Sequence, residues 1–435
     1  MSNQAHSLQQ PHVSLDIDEV LDAADRARDL LADRARPIPR ISIQAFCESA
    51  LVAETLQTAA EDRRLSKAHV SINMGGIPAA IAHFEENPTP NLIIIESGAE
   101  GAQLLAELDH LADSCDAGTK VIIVGQLNDV ILYRELLKRG VSEYLLAPIG
   151  ALQVMESISN LYNDPDSDPV GHVYAFIGAK GGVGSSTVCH NTAWALSEAL
   201  QSSVIITDMD LPFGTTGLDF NQDPMQGVAD ALVTPERLDE VLLDRLLTKC
   251  SEHLSIFSAP AVLDRDFNLN AEACDQVVDV VRQNVPYVAI DIPHTWTDWS
   301  KRLLLQADEV VITASPDLAN LRNAKNIVEL LRAERRHDSP PQLVLNMTKM
   351  PKRPEISTRD FEQALELVAT AEIEFDTETF GQAANNGQMI EEMNAKAKSV
   401  QNFRDLAMRL AHRQEVRHER KSPFAPLLEK LKLGR

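Results

Sequence analysis

The stretch Gly171 to Leu200, GHVYAFIGAKGGVGSSTVCHNTAWALSEAL, constrains the fold more than any other part of the chain. Buried-type residues Val173–Ile177 lead into Gly181-Gly182-Val183-Gly184. The hydroxyl residues Ser185, Ser186 and Thr187 follow, and then apolar residues at helical spacing. A strand, a glycine-rich turn and a helix start in that order form a nest of backbone N–H groups aimed at an anion. Glycine suits the turn because the backbone must come close to the ligand and adopt positive φ. The Ser186 hydroxyl, at the helix start, is placed to ligate Mg²⁺ beside a bound phosphate.

The rest of the chain alternates short apolar runs with helix-length segments, the pattern of doubly wound parallel sheets. The first series is Ile41–Phe46, Val70–Ile72, Leu92–Ile95, Lys120–Val124 and Tyr144–Leu146. The second is Val173–Ile177, Val204–Thr207, Leu254–Phe257, Tyr287–Ile290, Val310–Thr313 and Leu343–Leu345, with a further candidate at Ala371–Phe375. Between them lies NDPDSDP, whose three aspartates and two prolines can continue neither a helix nor a central strand. The predicted organisation is an α/β chain. A polar arm (1–40) with one short helical pattern precedes a first sheet unit (41–162). A linker (163–170), a second sheet unit (171–411) and a basic tail (412–435) follow.

Composition narrows the function. Lys+Arg 40 against Asp+Glu 64 gives a formal charge of −24, which disfavours a polyphosphate partner, so no nucleic acid is expected. No apolar run is long enough to span a bilayer, and the N-terminus lacks the pattern of a secretory signal. The five cysteines are scattered without a CxxC, which fits a reducing compartment and speaks against a disulfide frame or zinc cluster.

The common phosphate-loop pattern GxxxxGK[ST] wants lysine where this chain has Ser185, and glycine where it has Ala179. The sequence KGGVG followed by Ser-Ser-Thr resembles the deviant loop of the ParA/MinD class of P-loop ATPases. In that class an early lysine, matched by Lys180, reaches across a nucleotide-sandwich dimer. The resemblance extends along the chain. VIITDMDLPFG matches the second acidic motif of the class: Asp208 would support the Mg²⁺ shell and Asp210 would position the attacking water. PYVAIDIP resembles the Walker B strand and brings Asp291 to the magnesium site. VLNM places Asn346 where the class reads the adenine edge, and FDTETFGQAANNGQMIEE matches the late loop beside the base. The implied ligands are ATP and Mg²⁺. Residues 180–187, Asp291 and Asn346 would hold the nucleotide, and Ser186, Asp208 and Asp291 would serve the metal. Lys180 and Asp210 would act in catalysis. His294 and Trp296 read as packing or loop residues. Without an ammonium at 185, loss of one charge-stabilising group costs on the order of 10²–10³ in rate, so hydrolysis is expected to be slow at best.

The first unit resembles a response-regulator receiver without its chemistry. Glu96 stands at the phospho-acceptor position, Cys47-Glu48 where an acid pair belongs, Gly125 where a hydroxyl belongs and Ala147 where a lysine belongs. A degenerate receiver joined to a Ser-for-Lys phosphate loop resembles the CpaE/TadZ family. That resemblance implies a dimerising cytoplasmic factor, localised at the cell pole, for assembling Flp/Tad-type pili. Its partners would be a secretion ATPase and inner-membrane platform proteins. The tail, with Phe424, Leu427, Leu428, Leu431 and Leu433 among seven Lys/Arg and three acids, reads as a weak peripheral membrane contact or a partner-binding helix. Three readings stay open: a nucleotide switch, a pseudo-ATPase scaffold and a DNA-partition ATPase. An iron–sulfur relative is a remote fourth.

Overall fold

The computed structural model describes residues 38–116, 118–162, 170–263, 267 and 269–411. The expected arm (apart from residues 38–40), the linker (apart from residue 170) and the basic tail lie outside these residues. The described residues fall into two compact units, with residues 330–340 grouping with the first. Among the described residues, no helix is long and apolar enough to cross a membrane.

In the first unit five strands form an all-parallel sheet: β1 (Ser42–Cys47), β2 (His69–Met74), β3 (Leu92–Glu96), β4 (Lys120–Gly125) and β5 (Glu143–Leu146). Their order is β2-β1-β3-β4-β5, which is the flavodoxin-like order of doubly wound sheets. β3 is buried along its whole length and sits at the centre. A strand covered on both faces must be apolar throughout, which is why LIII reads as a continuous run instead of an alternating one. Ile43, Ala45, Ile94, Ile122 and Val124 pack to one side against the helices Ala50–Ala60 and Ala151–Tyr162. Phe46, Ile93, Ile95 and Ile123 pack to the other.

The second unit is an eight-stranded sheet: β6 (His172–Gly178), β7 (Val204–Asp208), β8 (Thr248–Lys249), β9 (Leu254–Phe257), β10 (Tyr287–Ile292), β11 (Glu309–Ala314), β12 (Gln342–Thr348) and β13 (Ala369–Glu374). The order is β13-β12-β11-β6-β10-β7-β9-β8. All pairs are parallel except β8 with β9, which is antiparallel. β8 has two residues and carries no periodic signal, so sequence patterning passes over it. At the opposite edge the Asn402 side chain donates to the Glu372 carbonyl at 2.8 Å, covering part of β13. β6 lies between β10 and β11, so the chain leaves to both sides of it. The C-terminal ends of β6, β7 and β10 therefore open on one crevice, where doubly wound sheets bind ligands. The helix Ser185–Leu200 packs over this centre through Val188, Cys189, Ala193 and Leu196.

Candidate nucleotide-binding site

The phosphate loop is built on two glycines that require positive φ, Gly182 at +79° and Gly184 at +82°. Gly184 caps the helix Ser185–Leu200, and no side chain satisfies the first-turn amides there. The N–H groups of the first turn have no intrahelical acceptors and carry the positive end of the helix dipole. A Cβ at Gly184 would fall 2.6 Å from Asn346 Nδ2, so the close approach also excludes any other residue.

Asn346 makes that approach because its Nδ2 donates to the Val183 carbonyl at 2.8 Å. Its Oδ1 accepts from the Met347 N–H at 2.9 Å. The first bond pins the end of β12 to the loop, and the second fixes the amide's orientation within β12. The other side of the loop is held from two further directions. His294 Nδ1 lies 2.9 Å from the Gly178 carbonyl, and Asn323 Nδ2 donates to the Ala179 carbonyl at 2.8 Å. Lys180 and its neighbours Gly181 and Gly182 are exposed, whereas Val183 is buried. Lys180 lies close enough to the half-buried Asp317 to help lower that carboxyl's pKa; burial opposes the drop, and Asn320 donors favour it. Ser185 Oγ is buried without a hydrogen-bond partner, so the residue at the usual lysine position leaves an orphaned polar atom in the loop.

Three carboxylates border the crevice. Asp291, at the end of β10, is 3% exposed. Burial pushes its pKa up to about 7, offset in part by His190 and the Ser186 hydroxyl and reinforced by Asp208 and Asp210. Asp208, at the end of β7, is fully buried, and burial likewise raises its pKa against the pull of its hydrogen bonds. Its Oδ1 accepts from the Asp210 N–H at 3.0 Å, and its Oδ2 accepts from the Thr216 hydroxyl at 2.7 Å and the Thr216 N–H at 3.2 Å. Asp210 is partly buried, its pKa raised by desolvation, and it accepts from the Phe213 N–H at 3.2 Å. Crowding of this kind disfavours the charged carboxylates and would be relieved by a divalent cation.

The residues fit a magnesium–nucleotide. Ser186 offers a hydroxyl against Asp291, the loop offers amides, and the crowded acids gain from a divalent charge. Among the described residues no three His, Cys, Asp or Glu side chains converge as a metal cage. A Mg²⁺ here would depend on the Ser186 hydroxyl, phosphate oxygens and water. Asp208, with both oxygens already engaged, suits a supporting role.

Sequence reasoning passed over His190. It is wholly buried on the helix Ser185–Leu200, one turn beyond Ser186. Its Nδ1 lies 2.8 Å from Asp219 Oδ2, its Nε2 lies 3.0 Å from Thr216 Oγ1, and Asp291 Oδ2 is 3.7 Å away. Burial works against its charge, but Asp219, Asp291 and Asp208 together raise its pKa. The available signal was a histidine inside an otherwise core-facing run, Val188-Cys189-His190. Trp296 is exposed, and the late segment reaches the same helix where the Ile390 N–H donates to Asn191 Oδ1 at 3.0 Å.

A family model described as an AAA domain matches residues 171–341. A ParA family ATPase from Chlorobium tepidum is 25% identical, covers 55% of this chain and 98% of its own, and superposes with a TM-score of 0.50. The septum site-determining protein MinD of Synechocystis is 29% identical over 160 residues, 36% of this chain and 57% of that protein. The chain therefore spans a little over half the length of that relative. The phosphate loop on the central strand, with acids at the ends of β7 and β10, is similar in layout to the P-loop ATPases of the ParA/MinD class. The pilus assembly protein CpaE from Caulobacter crescentus is 48% identical over a match covering 30% of this chain and 98% of the solved one, with a TM-score of 0.29. Over that stretch the chain is similar to CpaE.

Proposed function

We propose that this protein is a nucleotide switch that binds ATP with Mg²⁺, pairs with a second copy when loaded, and takes part in assembling a pilus machine. The reading rests above all on the close fit of Gly184 against Asn346, which shapes a strand-to-helix loop whose first-turn amides have no side-chain cap, beside the buried carboxyl of Asp291. Residues 181–187 would cradle the phosphates, Ser186 would meet the metal, and Asp291 and Asp208 would stand behind it. Bound Mg²⁺ would neutralise charge on the phosphates. Asn346 would face the base only through a rearrangement of its present bonds, so its part is first to hold the loop. Lys180, exposed at the loop entrance, is free to reach a partner's phosphates, and Asp210 would orient water.

Pilus assembly as the setting comes from the CpaE relative, whose name states that role. On this reading the partners are a secretion ATPase and inner-membrane platform proteins. The chain acts in the cytoplasm at the pole, and its tail adds a peripheral membrane contact. The charge of −24 weighs against a DNA-partition role. A scaffold that binds nucleotide without turnover is favoured by one observation: Ser185 puts a partnerless hydroxyl where an ammonium would stabilise the transition state.

Calorimetric titration with ATP and ADP, with and without Mg²⁺, tests the central claim. Saturable magnesium-dependent uptake supports it, and no uptake at millimolar nucleotide leaves only an inert docking platform. Sedimentation of wild type and Lys180→Ala with ATP then tests pairing, which the variant should lose.

A further inference from the structure

We propose that His190 is the positioning residue that fastens the loop carrying Asp210 to the phosphate-loop helix, so that magnesium–nucleotide binding and ordering of residues 209–219 become a single event. The inference deepens the nucleotide-binding reading and rests on it for the second half of that statement. The first half, the anchoring, stands on hydrogen bonds alone.

The loop from Met209 to Asp219 has apolar pegs only at its start, where Met209 and Leu211 are buried. Beyond Asp210 it carries the exposed Phe213 and Leu218. In that stretch two of its polar side chains, Thr216 and Asp219, meet one imidazole. His190 Nδ1 meets Asp219 Oδ2, which also accepts from the Thr215 hydroxyl at 3.2 Å. His190 Nε2 meets Thr216 Oγ1, and the same hydroxyl reaches Asp208 Oδ2. Both ring nitrogens are thereby engaged, so a single side chain meets two points of the loop, Asp219 and Thr216. The Phe220 ring packs on the imidazole with centroids 5.9 Å apart, and Gly214 leaves no room for a Cβ, which would fall 2.4 Å from Asp208 Oδ2.

The link to the ligand side is the helix. His190 lies four residues after Ser186, on the same face. A Mg²⁺ drawn to Ser186 and Asp291 therefore acts on a rigid element whose next turn grips Thr216 and Asp219. Backbone N–H groups from Asp210 and Thr216 clasp Asp208 at the end of β7, so the loop bridges that strand and the helix.

The test is hydrogen exchange of amides 209–219 in full-length wild type, His190→Leu, His190→Asn and Thr216→Val, first without nucleotide and then with Mg²⁺ and a non-hydrolysable ATP analogue. We expect His190→Leu to raise exchange in this loop at least tenfold in both conditions. His190→Asn keeps a donor near the Nδ1 position and should recover part of the protection, and Thr216→Val should fall between. The magnesium-dependent gain in ATP affinity should drop about tenfold in His190→Leu, while magnesium-free binding changes less than twofold. Wild-type protection of the loop in both His190→Leu and Thr216→Val overturns the proposal. If His190→Leu does not fold, Thr216→Val and His190→Asn decide the question alone. If wild type takes up no nucleotide the proposed function falls and with it the coupling to magnesium, while nucleotide-free exchange still decides the anchor.

Discussion

The two sheets place acidic residues at the same kind of edge and treat them in opposite ways. At the end of β3, Glu96 Oε2 accepts from the N–H groups of Glu48 and Ser49 at 2.8 and 2.7 Å, and Oε1 accepts from the Ser49 hydroxyl at 2.7 Å. Glu48 Oε2 in turn accepts from the Gly98 N–H at 2.9 Å. The receiver-like edge is closed by its own donors, and Glu96 acts as an added cap for the helix Ala50–Ala60. At the ends of β7 and β10 the acids crowd together, Asp291 is held near neutrality and Ser185 Oγ has no partner. A satisfied edge spends its charge on stability, and an unsatisfied one leaves it available for a ligand.

The sharpest way to break this contrast is Gly184→Ala against Gly76→Ala. Each new Cβ would lie under 3 Å from a neighbour at positive φ, on Asn346 Nδ2 in one case and on Glu48 Oε1 in the other. Gly184→Ala should abolish ATP uptake, a loss of about 100-fold or more by calorimetry, corresponding to roughly 3 kcal/mol. Gly76→Ala should lower the melting temperature and leave ATP affinity intact. Next in size, Ser185→Lys should restore an ammonium and raise turnover by about 10- to 100-fold in a phosphate-release assay. An unchanged rate would place this protein with the scaffolds.

The open edge also carries a pH signature. Asp291 has a folded pKa above its unfolded value, so its contribution favours the folded state at low pH and is lost as pH rises from about 4 to about 7. His190, also raised, contributes below its unfolded pKa and loses that contribution as pH climbs through its folded value. Both signs agree above pH 5. Thermal melts of the nucleotide-free protein should therefore fall between pH 5.5 and 8, and Asp291→Asn should flatten that slope and stabilise the apo protein by on the order of 1 kcal/mol. At the closed edge the effect falls on stability alone. Glu96→Gln should cost about 1–2 kcal/mol in urea unfolding, with nucleotide binding unmoved.

Strands whose burial is two-sided were legible because an uninterrupted apolar run has few other uses, as in Leu92–Ile95 and Val173–Ile177. Termini drifted by a residue or two where pairing continues past the apolar core: β5 starts at Glu143 and β13 covers Ala369–Glu374, not Ala371–Phe375. The loop and its acids were readable from order and spacing. The anchoring of Asn346 to Val183, the His190 bridge and the capping by Glu96 were not. Each depends on which distant backbone group a side chain meets in three dimensions, and one-dimensional spacing does not encode that.

The margins of the larger sheet carry a lesson about assembly. One border ends in the two-residue antiparallel β8, whose Lys249 is exposed, and at the other a neighbouring helix occupies a carbonyl of β13 through Asn402. Short, charged or covered borders offer little template for a strand from another molecule. Copies of this chain are thereby steered away from fibre-like growth by sheet extension, and association is left to the faces and loop ends, where it can be made and undone.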